Sequence, residues 1–317
     1  MSPDWIRRFK FARFTFYIRF AEKPNLRGFL GSTIRGGLGH ALKRVTCIDR
    51  TMACSDCTGR FQCPYFYIFE TPPNPDSSMM RKYPRAPHPF VVETPLSSDD
   101  SWNKAPHQLQ FGVILIGRAI DLLPSLVRAI EHLGITSGLG RDRALYVLEK
   151  VETDGRTIYS VDRGVLSEDY CVKTWEELLR DLPREARSVC LNLKTPLRLK
   201  YGGRLVKKLE FHMVIRNLLR RLSALVYFHC GTEMNVDFKG LIDSACAVRT
   251  DYDHTSWYDW KRYSARQESS MKLGGLVGTI AFAGRISPFL PYLALGEHVH
   301  TGKNTSFGLG SYTMVVK

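Results

Sequence analysis

The stretch FKFARFTFYIRF, Phe9 to Phe20, decides the fold class. Phe14, Phe16, Ile18 and Phe20 fall on one side and Thr15, Tyr17 and Arg19 on the other, the period of two that predicts a half-buried strand. After the turn signal Lys23-Pro24-Asn25, the residues Leu30, Ile34, Leu38, Ala41, Leu42 and Val45 recur at three- and four-residue intervals, predicting a helix with one buried face. A strand is expected around Pro89 to Glu93 and another at Leu109 to Gly117. A helix follows from Asp121 to Leu133, ended by Gly134, and past the loop Ser137 to Arg141 comes a strand at Ala144 to Glu152. The order β-α-β-β-α-β is that of a ferredoxin-like domain.

The second half repeats this plan. Cys190 to Tyr201 reads as a strand, and about Lys208 to His229 as a helix with Phe211, Val214, Ile215, Leu218, Leu222 and Leu225 on its apolar stripe. A hairpin-like region at Lys272 to Gly284, another helix, another glycine-rich loop and a last strand at Tyr312 to Val316 complete the series. Leu122-Leu123-Pro124-Ser125-Leu126 is similar to Phe289-Leu290-Pro291-Tyr292-Leu293, and each is followed by Gly-Leu-Gly, at Gly138 to Gly140 and Gly308 to Gly310. The expectation is an α+β protein of two tandem ferredoxin-like (RRM-like) domains. The first covers 1–152 with an insertion at about 46–95, a connecting segment covers 153–187, and the second domain covers 188–317.

The 317 residues suffice for about two domains. Forty-five Lys and Arg against 31 Asp and Glu give a formal net charge of +14. Such an excess points to a polyanionic partner, nucleic acid before an anionic membrane. No apolar run is long enough to span a bilayer, and the N-terminus, with Arg7, Arg8, Lys10, Arg13 and Arg19, lacks the apolar core of a secretory signal. A cytoplasmic protein is the expectation.

From Gly296 the chain reads GEHVHTGKNTSFGLG, in which glycines leave room for an anion while Lys303, Asn304, Thr305 and Ser306 add donors. The Walker spacing is absent, and the other reading is a tight link between helix and strand. This Gly-x5-Gly-x5-Gly-x-Gly stretch, closing the second of two ferredoxin-like domains in a basic protein, resembles the RAMP superfamily of CRISPR systems. Within it, the blocks Leu26 to Arg44, Cys63 to Thr71, Thr195 to Leu225 and Met271 to Phe282 resemble the CRISPR-associated endoribonuclease that processes repeat transcripts, in its bacterial branch.

The resemblance implies metal-independent cleavage of CRISPR repeat RNA in precursor transcripts, by 2′-OH attack leaving a 2′,3′-cyclic phosphate and a 5′-OH. The protein must then align the groups, move two protons and stabilise charge on phosphorus. Histidine suits proton transfer near neutrality. His40, with Lys43 and Gly36, falls on the face of the first helix opposite its apolar residues, and the family commonly carries a catalytic His on this helix. His40 is therefore the first catalytic candidate. Lys43, one turn away, is a candidate for charge stabilisation or an ordinary surface lysine. His300, at the entrance to the glycine loop, is a second proton-transfer candidate or an imidazole bonded to loop backbone. His229 lies on an apolar stripe and reads as buried, His212 stays undecided, and Tyr17 is a stacking candidate or a plain surface aromatic.

Arg198, Lys200, Tyr201, Arg204 and Lys207, together with Gly302, Lys303, Gly308 and Gly310, form the candidate RNA contact set. Cys47-x6-Cys54-x2-Cys57-x5-Cys63 is a candidate structural zinc site, with an iron–sulfur cluster or metal-free thiols as alternatives. No cofactor is expected for catalysis. The resemblance admits other CRISPR effector subunits as partners, and oligomeric state is unspecified. The competing readings are a noncatalytic RNA-binding RAMP subunit and a zinc-organised DNA-binding or scaffold protein.

Overall fold

The computed structural model describes residues 3–26, 29–73, 77, 79, 85–95, 107–259, 261–264 and 269–317. Part of the expected insertion, residues 74–76, 78 and 80–84, lies outside the described residues. The chain divides into two compact units, Phe11–Val172 and a second that joins the N-terminal residues up to Lys10 to Lys173–Lys317.

In the first unit β1 (Lys10–Phe20) is followed by α1 (Leu30–Thr46), β2 (Phe90–Glu93), β3 (Gln108–Ile116), α2 (Leu123–Thr136), β4 (Tyr146–Thr153) and β5 (Arg156–Ser160). The antiparallel sheet has the order β2-β3-β1-β4-β5, the ferredoxin-like arrangement with one strand added. Phe14, Phe16, Ile18 and Phe20 are buried, as the alternation predicts, and Phe16 stacks on its cross-strand partner Phe111 with centroids 5.3 Å apart. Leu30, Ile34, Leu38, Ala41 and Leu42 turn into the same core. Removing a fully buried side chain such as Leu38 costs about 2–5 kcal/mol. The outward face of this sheet is neutralised by ion pairs: Arg13 with Glu93 at 2.7 Å, Arg19 with Glu149, and Lys150 with Glu152 at 2.5 Å.

In the second unit β6 (Ser188–Leu197), α3 (Phe211–Cys230), α4 (Phe238–Cys246), β7 (Arg249–Tyr258), β8 (Gly275–Ala283), α5 (Leu290–Val299) and β9 (Tyr312–Val316) give the order β7-β8-β6-β9. Counted by place in each half, both sheets run second, third, first, fourth, so the duplication holds in topology. It also holds in detail. Tyr146 opens β4 and donates its hydroxyl to Ile130 O at 2.9 Å; Tyr312 opens β9 and donates to Leu293 O at 2.7 Å. Gly134 in α2 and Gly296 in α5 lie against these rings, where a Cβ would meet the Tyr146 ring at 2.8 Å and the Tyr312 hydroxyl.

Four expectations are corrected. The helix passes through Gly134 to Thr136, because that glycine makes room for Tyr146 and is not a stop. The strand expected to reach Tyr201 ends at Leu197, and Lys200–Tyr201 pairs instead with Arg204–Leu205 in a small hairpin. The hairpin partner of β8 is β7, an edge strand whose nearly all-exposed side chains give no alternating apolar signal. The connecting segment 153–187 is divided: β5 extends the first sheet, while the capped turn Trp175–Arg180 joins the second unit, where Trp175 packs on Trp5 and Phe9 and its indole donates to Pro291 O at 3.0 Å. Among the described residues no helix is long and apolar enough to cross a membrane.

Candidate functional site

In the first unit, the burial of its opposite face fixes which way α1 presents His40. The imidazole is exposed and makes no hydrogen bond or ion pair among the described residues. One turn back, at the i,i+4 position of the same face, Gly36 is bare: a Cβ there would meet nothing within 4 Å. Lys43 is half-buried, its ammonium 5.6 Å from the centroid of the Tyr65 ring, so its charge is partly engaged by that π face. The sequence reading missed His88. Its Nδ1 lies 2.9 Å from Thr71 Oγ1 and its Nε2 3.4 Å from the Arg35 guanidinium of α1, a partnership across 53 residues that no local pattern reveals. Tyr17 is no free stacking platform, because its hydroxyl donates to Glu152 at 2.7 Å and Lys150 covers its ring at 4.3 Å.

In the second unit the glycine loop does not offer the run of free amides its composition promises. The N–H groups of Thr301, Lys303, Gly308 and Gly310 donate to Gly310 O, Arg198 O, Thr305 O and Pro196 O, so the loop is folded onto itself and onto the end of β6. Gly302 has φ +90, and a Cβ there would stand 2.6 Å from Arg198 O; Gly310 has φ +73 and faces Thr301 O in the same way. Gly308, at φ +91, gives its carbonyl to Thr195 Oγ1 at 2.8 Å. These glycines permit close approach of loop to strand, the tight-link reading, and what the packing positions is Lys303.

The placement of His300 is in keeping with the second of its two readings, an imidazole bonded to loop backbone. It is 1% exposed, at φ +59, and its Nδ1 lies 3.3 Å from Leu309 O, so the imidazole is turned into the loop's own backbone. Arg221, which the sequence reading passed over, holds this corner. It is half-buried on α3 and donates to Val299 O at 2.8 Å and His300 O at 3.1 Å, supplying donors to the C-terminal carbonyls of α5, while desolvation pulls its guanidinium down to about 9. His229 is buried, as its place on the apolar stripe predicts.

Around the exposed Lys303 the basic residues converge. Burial first, then Lys200, Arg198 and Arg220, hold its ammonium below the ordinary lysine value. Arg198 is half-buried, bonds Gly274 O and faces Asp259; burial also lowers its guanidinium. Beside them Tyr201, 43% exposed at the tip of the small hairpin, has the His212 ring at 5.3 Å and the Arg216 guanidinium at 5.8 Å. His212 is tied to Glu210 at 2.9 Å. Arg204 is the cross-strand neighbour of Tyr201, and Lys207 is exposed just beyond the hairpin. Like charges gathered this closely, next to a flat exposed ring, suit a phosphodiester chain carrying an unpaired base. His40 and Lys43 belong to the first unit, and the basic cluster to the second.

The four cysteines Cys47, Cys54, Cys57 and Cys63 are free thiols lining one cavity of about 210 Å³. In kind and number they suit a tetrahedral thiolate site. Among the described residues, however, no three Cys, His, Asp or Glu side chains are gathered closely enough to hold a metal ion. Cys47 instead reaches Asp49 O at 3.1 Å, and Cys63 lies 4.0 Å from Thr46 Oγ1. As placed, the thiols share a cavity.

The model of the CRISPR-associated endoribonuclease Cas6 family matches residues 191–312, and that of the AF_1859 N-terminal domain matches residues 9–170, about half the chain. Residues 191–312 are thereby identified as a Cas6 endoribonuclease domain. No curated protein matches it in sequence. Among solved structures, the Cas6 (TTHB231) product complex is similar with a TM-score of 0.62 at 15% identity, covering 96% of this chain and 100% of that one. Thermus thermophilus Cas6 (TTHB231) gives 0.56 at 13%, over 97% and 99%. A partial Cas6-RT-Cas1–Cas2 complex gives 0.56 at 12%, over 98% of this chain and 46% of that one. At these identities the likeness establishes the fold, and it extends over both ferredoxin-like halves.

Proposed function

We propose that this protein is a Cas6 endoribonuclease that cuts CRISPR repeat RNA in precursor transcripts by letting the ribose 2′-oxygen attack the adjacent phosphorus. The O2′–P bond forms as the P–O5′ bond breaks, leaving a 2′,3′-cyclic phosphate and a 5′-OH. One proton leaves the 2′-OH and one reaches the departing 5′-oxygen. The nucleophile belongs to the RNA, so the protein's tasks are alignment, proton transfer and charge stabilisation, and none of them requires a metal. The observation that carries the reading is His40: an exposed imidazole one turn from Gly36, where an added Cβ would meet nothing within 4 Å, in a chain whose residues 191–312 match an endoribonuclease family. His40 is assigned one of the two proton transfers. The cluster of Arg198, Lys200, Arg220 and Lys303 is assigned the phosphate backbone, with Tyr201 stacking on a base. Two structurally similar Cas6 proteins are solved as product complexes, which supports a cleaving reading over a purely binding one.

The test is His40→Ala under single-turnover conditions with matching repeat RNA. The cleavage rate is expected to fall by about 100-fold or more, the scale of general acid–base catalysis, with RNA affinity changed less than about threefold. An unchanged rate removes His40 from the chemistry. Tight binding by the wild type without any cutting favours the noncatalytic RAMP reading.

A further inference from the structure

The second unit carries another basic site, remote from the glycine loop. A cleft of about 740 Å³ is lined by Arg184, Arg187, Arg249 and Arg285 and by a single carboxylate, Glu185. Its walls are the chain entering β6 and the chain leaving β8, tied together by Gly284 N–H to Arg187 O at 2.8 Å and Ile286 N–H to Ala186 O at 3.1 Å. Arg249 begins the neighbouring strand β7 in the same register row, opposite Ala283, which in turn faces Ser188. All four arginines are exposed. None of them is ion-paired among the described residues, whereas the arginines on the outward face of the first sheet have carboxylate partners.

We propose that this cleft is a second RNA-backbone site, holding phosphodiesters of the same transcript away from the basic cluster around Lys303. The inference rests on the RNA-cleaving reading above. Four guanidiniums against one carboxylate leave the cleft with a net charge of +3, a repulsive arrangement unless an anion enters. Guanidinium is planar, always charged and weakly hydrated, and it meets phosphate oxygens with paired N–H donors. The volume lies within the range of ligand clefts, and the open, exposed rim suits a continuous strand passing through.

Distance makes the proposal specific. The cleft borders Ser188, at the start of β6, and the basic cluster begins at Arg198, just past its end. At ~3.3 Å per residue the two lie on the order of 30 Å apart along the strand. A stacked single strand rising ~3.4 Å per nucleotide needs about nine nucleotides to span them.

The experiment compares wild type with Arg187→Gln/Arg249→Gln/Arg285→Gln. Affinity is measured at several salt concentrations for repeat RNA blocked by a 2′-deoxy sugar at the cut. One RNA is long on both sides of the scissile site and one is trimmed to about six nucleotides. On the long RNA the triple variant is expected to bind at least about tenfold more weakly at low salt, with a log–log salt slope shallower by about 2, or ~0.7 per lost phosphate contact. On the trimmed RNA the two proteins should bind alike. Single-turnover cleavage of unblocked RNA at saturating protein should be unchanged. The triple Lys variant should recover most of the slope, since the charge is restored. Equal affinities and slopes on the long RNA would overturn the proposal, as would a defect of equal size on the trimmed RNA or a loss the Lys variant does not mend. A wild type that binds no RNA at all would instead sink the underlying endoribonuclease reading.

Discussion

Two adjacent glycines of α1 should respond to the same substitution with opposite signs. Gly36 faces open space on the side of His40, and a Cβ there touches nothing within 4 Å. Replacing glycine by alanine inside a helix then gains about 0.5–1 kcal/mol, because alanine loses less conformational freedom on folding. At Gly37 the added carbon would stand 2.8 Å from Leu133 Cδ2 and 3.0 Å from Leu139 Cδ2, where α1 packs against α2 and the loop after it. Overpacking of that kind costs about 1–3 kcal/mol, which outweighs or cancels the helical gain. For a unit of this size about 1 kcal/mol moves the melting point by ~2–4 °C. Thermal scans of the full chain should therefore place Gly36→Ala one to four degrees above wild type, by this rough scale, and Gly37→Ala level with it or below. The two should separate again in function. If the bare strip at Gly36 is where the RNA backbone passes His40, a methyl group there weakens RNA or slows cutting by about tenfold, the equivalent of about 1.4 kcal/mol, in a protein that is more stable than wild type. A Gly36→Ala protein that melts lower refutes the packing argument. One that melts higher and cuts normally shows that the strip does not face substrate.

Lys303→Gln should weaken RNA binding and lower the salt slope by about 0.7. Because burial and the neighbouring Lys200, Arg198 and Arg220 lower the folded value of Lys303, the unfolded chain holds that proton more strongly. The charged form therefore opposes folding at lower pH, and this opposition fades as pH rises into the window just below the ordinary lysine value. RNA affinity should fall over that same window, and Lys303→Gln should flatten both profiles; unchanged profiles would remove Lys303 from the cluster. The thiol cavity gives a further check. We propose that zinc, when supplied, draws these four thiols together, in which case protein purified without chelator carries about one zinc per chain, lost in Cys54→Ser/Cys57→Ser, as measured by elemental analysis and by the melting point with and without chelator. Metal-free wild type with an unmoved melting point leaves the four cysteines as ordinary thiols.

What the sequence disclosed and what it hid divide along physical lines. The alternation from Phe14 to Phe20 and the stripe from Leu30 to Leu42 were readable because one buried face imposes a period, and both faces are buried as read. The paired Leu-Pro segments announced the duplication, since Pro124 and Pro291 each sit in the first turn of the corresponding helix. Strand β7 was silent because an exposed edge strand buries nothing that could leave a pattern. The N-terminal turn bearing Trp5 joins the second unit through Trp175, at 4.8 Å between ring centroids, a contact across 170 positions that no local window contains. The site was half legible. Helical phase alone put His40 outside, and composition alone put basic residues near Arg198. Burial of His300 and the spent amides of the glycine loop depend on hydrogen bonds to Leu309, Arg198 and Pro196. Such bonds follow from the three-dimensional path of the loop, and glycine content does not encode them. The arginine cleft was equally hidden, because Arg184, Arg187, Arg249 and Arg285 come together only where three strands meet at one end of a sheet.

The most direct test is product analysis with excess EDTA, using the purified full chain and two otherwise identical repeat RNAs, one bearing a single 2′-deoxy sugar at the scissile nucleotide. The account predicts one cut in the all-ribose RNA, a 2′,3′-cyclic phosphate on the upstream fragment by mass spectrometry, and an intact deoxy-substituted RNA. Cleavage of the deoxy-substituted RNA, upstream fragments ending in a free 3′-OH, or activity that vanishes with EDTA would contradict it.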